Sequence, residues 1–273
     1  MMTTQHKPLP NVGLNRSRVV WPQAIFGRTE EVEQLRWRLS ARQSFLLHGP
    51  AGVGKTLLLL HVAPEFPQVL YSAQNPTPQS LYRNLSELLL AAGHPVFARA
   101  CPDGISSLQA KTAVSVKGLL RDALCSSNYL IIADHLMRPS QALAACLRNL
   151  MLTCSIPVVA VSRSAHMEDA GFVLPLFPER AGKFGLCNFD LEAAHLFAAG
   201  CAEAEELKAD NLPQFLNRVV EFSKGNPGAM MRMIHLATKP QYFAENQIKI
   251  TPLYIDYKLA TVNTQSRNAI ARR

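Results

Sequence analysis

Short runs of almost unbroken apolar residues punctuate the chain: Gln43-Ser44-Phe45-Leu46-Leu47-His48, Gln68-Val69-Leu70-Tyr71-Ser72-Ala73, Asn128-Tyr129-Leu130-Ile131-Ile132-Ala133 and Ile156-Pro157-Val158-Val159-Ala160-Val161. A strand without polar alternation is buried on both faces, as in a parallel sheet covered by helices. Between these runs the apolar residues take helical spacing. Val32, Leu35 and Leu39 share one face, as do Leu81, Leu85, Leu88 and Leu89 within 76–92. The same holds for Leu119, Leu120 and Leu124 within 107–126, and for Leu143, Leu147, Leu150 and Met151 within 139–153. Leu57 to Ala63 is apolar on every side, which suits a buried helix. A last core strand is expected over Phe184 to Phe189. This alternation predicts a three-layer α/β core with a parallel sheet.

From Asp190 the pattern is helical only. Asp190 is a good N-cap for a helix over Leu191 to Ala202, and Leu212 to Phe222 carries a second apolar face. Lys224-Gly225-Asn226-Pro227-Gly228 is a turn that opens a third helix, Ala229 to Ala237. The expected divisions are an extended, proline-punctuated arm (1–24), the α/β core (25–189), a small helical lid domain (190–238), and a C-terminal segment with a polar basic tail (239–273).

Composition narrows this picture. The chain has 273 residues, 48% of them hydrophobic, enough for a packed core. No segment is long and apolar enough to span a membrane, and residues 1–10 lack the apolar centre of a signal peptide, so a cytoplasmic protein without membrane contact is expected. The six cysteines are scattered with no C-x-x-C pair, which favours buried reduced thiols over a zinc site or disulfide framework. The formal charge of +8 favours a polyanion such as DNA as partner. Part of that excess lies near the ends, at Lys7, Arg16 and Arg18 and at Arg267, Arg272 and Arg273, though neither group forms a dense basic arm.

Chemistry is concentrated in Gly49-Pro50-Ala51-Gly52-Val53-Gly54-Lys55-Thr56, followed by Leu57. It matches G-x-x-x-x-G-K-[ST], the phosphate-binding P-loop, and it lies between an apolar strand and a helix as that motif requires. Glycines at these positions let successive N–H groups curl around a phosphate, and the helix that follows presents its positive end to the same anion. Lys55 would reach the β- and γ-phosphates, and the Thr56 hydroxyl would hold Mg²⁺. The second landmark is Asp134, at the carboxyl end of an apolar strand. There it fits the acid that holds Mg²⁺ through its water shell.

Upstream, Ile25-Phe26-Gly27-Arg28-Thr29-Glu30-Glu31-Val32-Glu33-Gln34-Leu35 precedes the P-loop by a short spacer. This arrangement resembles the AAA+ and STAND ATPases, and among them the branch of origin-recognition and transposition-type ATPases. The resemblance implies that Ile25 and Phe26 pack on adenine, with Gly27 allowing close approach and Arg28 nearby. It implies a sensor at Ser162 or Arg163 that reads the γ-phosphate. Arg180 is the candidate arginine finger, and Pro227 lies near the base. In hydrolysing AAA+ enzymes a glutamate follows the acid of the second motif; here it is His135. Three readings stay open: His135 is a weak substitute base, Glu168 supplies the base, or hydrolysis is nearly absent. Gly225-Asn226-Pro227 also resembles the sensor 2 turn of the relatives of the STAND ATPases, where an arginine just after the turn touches phosphate. This chain has Gly228 there, and its next arginine is Arg232.

The expectation is an ATP- and Mg²⁺-binding ATPase with slow hydrolysis coupled to a conformational or assembly switch. A homo-oligomer and an unidentified protein effector are the expected partners. The alternatives are a DNA-binding assembly protein in which ATP licenses oligomerisation on DNA, and a non-hydrolysing adaptor.

Overall fold

The computed structural model describes residues 27–66, 68–125 and 127–270, with side chains to residue 261. Ile25, Phe26 and the arm 1–24 lie outside the described residues, as do Arg272 and Arg273. The chain forms two compact units: one holds Glu30–Pro50 and Lys55–Leu186, and the other holds 27–29, Ala51–Gly54 and the chain from Cys187 onward.

The first unit is built on a five-stranded sheet of β1 (Phe45–His48), β2 (Val69–Ser72), β3 (Leu130–Ala133), β4 (Val158–Ser162) and β5 (Lys183–Gly185). The order is β2-β3-β4-β1-β5 and every pairing is parallel. All residues of β2, β3 and β4 are buried, which is why their sequences show no alternation. Because parallel neighbours need crossovers, helices fill the connections. α1 (Thr29–Ser40) leads into β1, and the connections carry α2 (Lys55–Val62), α3 (Pro78–Ala91), α4 (Pro95–Ala100), α5 (Ile105–Gln109), α6 (Ala113–Leu124), α7 (Gln141–Thr153) and α8 (Met167–Ala170). Local chemistry starts several of them. The Thr77, Thr112 and Ser140 side chains accept from the first-turn N–H groups of α3, α6 and α7. The Thr112 cap also explains why the helical stretch expected over 107–126 is two helices. The strand expected over Phe184 to Phe189 is shorter, ending at Gly185.

One reading of the sequence is corrected. Cys125 and Cys154, expected as reduced thiols, are joined by a disulfide with Cα atoms 4.1 Å apart. Cys125 is the C-cap of α6 and Cys154 the C-cap of α7. Each helix ends just before one of the paired strands β3 and β4, so sheet pairing brings together residues separated by 29 positions. Cys101, Cys146 and Cys201 are free and buried, and Cys187 is free and exposed.

The second unit contains α9 (Leu191–Ala204), α10 (Leu212–Ser223), α11 (Pro227–Ala237), a hairpin of β6 (Phe243–Ala244) and β7 (Gln247–Ile248), and α12 (Ile250–Ile270). Its core joins Phe197, Phe215, Val219, Met230, Met233 and Ile234. After Lys249 the chain continues as one long helix, α12. Leu253 and Tyr257, four apart, bury one face of it, and Tyr242 Oη donates to Asp256 Oδ2 at 2.7 Å. Among the described residues no helix is long and apolar enough to cross a membrane.

Candidate functional site

The strand order places β4 between β1 and β3, so the loops leaving these strands open side by side at the carboxyl edge of the sheet. Ligands of open α/β sheets bind at such edges. The loop after β1 is the P-loop. Gly52 and Gly54 take φ of 79° and 101°, a region closed to most side chains. Lys55, at the start of α2, turns its Nζ back onto the carbonyls of Gly49 (2.6 Å) and Pro50 (3.0 Å). Burial pushes its ammonium down to about 8, Asp134 and Asp169 resist the fall, and Arg163 adds to it. Val53 is buried, Leu57 is half-buried, and Pro50 and Ala51 are exposed.

Thr56 follows in the same helix turn, and its Oγ1 donates to Asp134 Oδ2 at 2.8 Å. Residues 78 positions apart thus meet across the intervening strand. Asp134 is only 1% exposed and is held from three sides. Besides Thr56, Tyr71 Oη donates to Oδ2 at 2.7 Å and the His135 N–H donates to Oδ1 at 2.7 Å. Burial first, and then the Asp134 charge, drive the Tyr71 phenol pKa up, so the phenol stays a donor. A hydroxyl beside a buried carboxylate suits Mg²⁺, which usually takes one or two carboxylates and completes its shell with water and phosphate oxygens. In the sequence Tyr71 is only a strand residue, because a tyrosine one position before a strand end has no motif to mark it.

His135 is exposed and adopts φ 53°, and its Nε2 lies 3.7 Å from Asp134 Oδ2. The loops after β3 and β4 are tied together, since Arg138 donates from Nε to Glu168 O at 2.7 Å and from its N–H to Asp169 O at 2.9 Å. Of the two sensor candidates, Ser162 is buried and spends its hydroxyl on Ser164 O, whereas Arg163 is exposed. Ser164 Oγ in turn donates to Asp169 Oδ2 at 2.7 Å, so the weaker of the two acids that oppose Lys55's fall is itself positioned. The Glu168 side chain is exposed on α8. Arg180 sits elsewhere. Gly182 O accepts from Leu46 N at 2.9 Å, which puts Arg180 beside the first residues of β1, at the opposite end of the strands from the P-loop.

The second unit holds the remaining candidates. Gly27, at φ 62°, lies where a Cβ would come 3.0 Å from Ala193 Cβ. Arg28 is buried, donates to Cys187 O at 2.6 Å and Val53 O at 3.4 Å, and lies 4.4 Å from the Phe189 ring centre. Pro227 is buried at the first position of α11, where its missing N–H costs nothing. Gly228 stands where the resemblance leads one to expect an arginine: its N–H donates to Gly52 O at 2.9 Å, and a Cβ there would meet Gly52 Cα at 2.9 Å. Arg232 donates to Gly228 O at 3.0 Å and lies 5.7 Å from the Tyr257 ring centre.

No protein-family model matches the chain. No curated protein matches it in sequence. Solved structures do match in fold. A Walker-type ATPase of Pyrococcus abyssi superposes with a TM-score of 0.62 at 15% identity, covering 95% of this chain and 79% of that one. The Aeropyrum pernix ORC1 protein in complex with DNA gives 0.58 at 18% identity, covering 88% and 66%. The Drosophila ORC bound to DNA gives 0.53 at 14% identity, covering 93% and 68%. At these identities the likeness is one of fold: the chain shares the architecture of the Walker-type ATPase and of the two ORC structures.

Proposed function

We propose that the protein binds ATP with Mg²⁺ and hydrolyses it slowly, using the nucleotide state as a switch of conformation or assembly. The observation that carries this reading is the hydrogen bond from Thr56 to the buried Asp134, which joins the P-loop to the acid at the end of β3. In the proposed site the N–H groups of the segment Gly49–Thr56 and the Lys55 ammonium bind the phosphates. Thr56 and Asp134 would hold the metal, which would supply positive charge beside the phosphates. Arg163 reads the γ-phosphate through a charge-assisted contact. Gly27, Arg28 and Pro227, with Ile25 and Phe26, are assigned to the base side. Arg180, remote from its own P-loop, fits a finger offered to a second copy rather than to its own nucleotide.

Slow turnover follows from His135. It stands where relatives carry a glutamate, and its ring is exposed. His135→Glu is expected to raise turnover; an unchanged or lower rate would show that another base acts or that the histidine is adapted to its role. A second reading, ATP-licensed assembly on DNA, is favoured by the +8 charge and by the DNA in the Aeropyrum and Drosophila structures. Steady-state ATP turnover with and without DNA, with Lys55→Ala as blank, tests both readings. Turnover above the blank supports the ATPase, and stimulation by DNA with steep salt dependence moves the second reading forward. Bound ATP without turnover would recast the protein as a non-hydrolysing adaptor.

A further inference from the structure

We infer that Asn226 and Gly228, at the start of α11, are positioning residues that orient the peptide planes of the phosphate-binding loop; the inference rests on the ATP-binding reading above. Asn226 Nδ2 donates to Ala51 O at 3.1 Å, and the Gly228 N–H donates to Gly52 O at 2.9 Å. Each of these carbonyls shares a planar trans peptide with the next N–H, so the two groups point in opposite directions. Drawing the Ala51 and Gly52 carbonyls toward α11 therefore turns the N–H groups of Gly52 and Val53 away from it. Glycines at 52 and 54 leave this segment free to adopt many backbone states, and only some of those align N–H groups toward one anion. The clamp removes that freedom before ligand arrives, which is how preorganisation raises affinity.

The Asn226 side chain is fully used. The second proton on Nδ2 goes to Asn188 Oδ1 at 3.0 Å, and Oδ1 accepts from Ala229 N at 3.1 Å, capping α11. Packing agrees with the hydrogen bonds. A Cβ on Gly52 would come 2.7 Å from Asn226 Oδ1, and a Cβ on Gly228 would come 2.9 Å from Gly52 Cα. Gly228 is thus required by the approach of two backbones and Gly52 by its φ of 79° beside the Asn226 side chain, and the loop tip is held through carbonyls that a phosphate does not use.

Asn226→Asp separates this role from helix capping. An aspartate still caps α11 through Ala229 N, but it replaces the two donated bonds with an oxygen facing the Ala51 and Asn188 oxygens. The experiment measures the affinity of wild type, Asn226→Asp and Asn226→Ala for ATP and tripolyphosphate by calorimetry, and for adenosine by ligand-observed NMR, beside thermal melting of each variant. Both variants should lose affinity for ATP and tripolyphosphate by about tenfold or more, one charged hydrogen bond in size, with adenosine binding unchanged. Unchanged tripolyphosphate affinity would overturn the inference. So would equal losses for all three probes, which would mark a merely structural residue. Wild-type protein that binds neither ATP nor tripolyphosphate would remove the ATP-binding reading itself, a result separate from a wild type that binds and variants that bind equally.

Discussion

Tyr71→Phe should weaken the fold through Asp134. The carboxylate is 1% exposed, so water cannot replace the donor that the substitution removes. A hydrogen bond to a charged group contributes about 1.5–3 kcal/mol, against about 0.5–1.5 for a neutral pair. Two effects oppose the loss. Phenylalanine avoids the cost of burying a phenol, and Thr56 Oγ1 at 2.8 Å and the His135 N–H at 2.7 Å continue to donate. The net loss should therefore sit at the low end, about 1.5 kcal/mol, or roughly a tenfold change in the unfolding equilibrium. A double-mutant cycle with Asp134→Asn, whose amide oxygen can still accept from the phenol, isolates the part of the bond that depends on the charge. Urea unfolding at pH 7, followed by circular dichroism, should return a coupling of about 1 kcal/mol, the charged bond less the neutral one. A coupling below about 0.5 kcal/mol would refute the reasoning, because it would mean that the buried carboxylate does not depend on the phenol.

Nucleotide affinity should carry a signature of Lys55, whose ammonium burial lowers to about 8. If phosphate binding needs the charged form, affinity is level below that value. Above it, affinity falls by about tenfold per pH unit, because a proton must then be taken up with the ligand; a flat profile to pH 9.5 in calorimetry would count against the assignment. Gly228→Ala sets two effects against each other. Helix propensity favours alanine by up to about 1 kcal/mol, while overpacking against the Gly52 backbone costs about 1–3 kcal/mol. A lowered melting temperature is expected, and a raised one would show that the contact yields. Cys154→Ser opens a loop with a sequence separation of 29. It should cost about 3–4 kcal/mol by the chain-entropy relation, and a urea midpoint equal to that of the oxidised wild type would contradict this.

Arg28 and Gly228 show how a residue's role can change once the fold is known. In the sequence Arg28 is a neighbour of the pair that the resemblance places on adenine. In the structure its guanidinium is buried and bonded to the Cys187 and Val53 carbonyls, contacts 159 and 25 residues away that no local pattern encodes. Gly228 reads as a missing sensor arginine, yet its small size is what admits the Gly52 backbone.

The sequence by itself determined the parallel core strands, the helices that alternate with them and the P-loop, because these depend on residues within one turn or one strand of each other. A period of burial or a run of glycines before a lysine is local, so it survives in the linear chain. The strand order, the meeting of Thr56, Tyr71 and Asp134, the Cys125–Cys154 bond and the hold of Asn226 on the loop tip were decided only by tertiary structure. Each depends on which crossover lands beside which strand or on how closely two backbones pack. Such contacts join residues from 29 to 175 positions apart. The long helix α12 belongs with them, because Leu253 and Tyr257 give it too narrow an apolar face to be read without the core they enter.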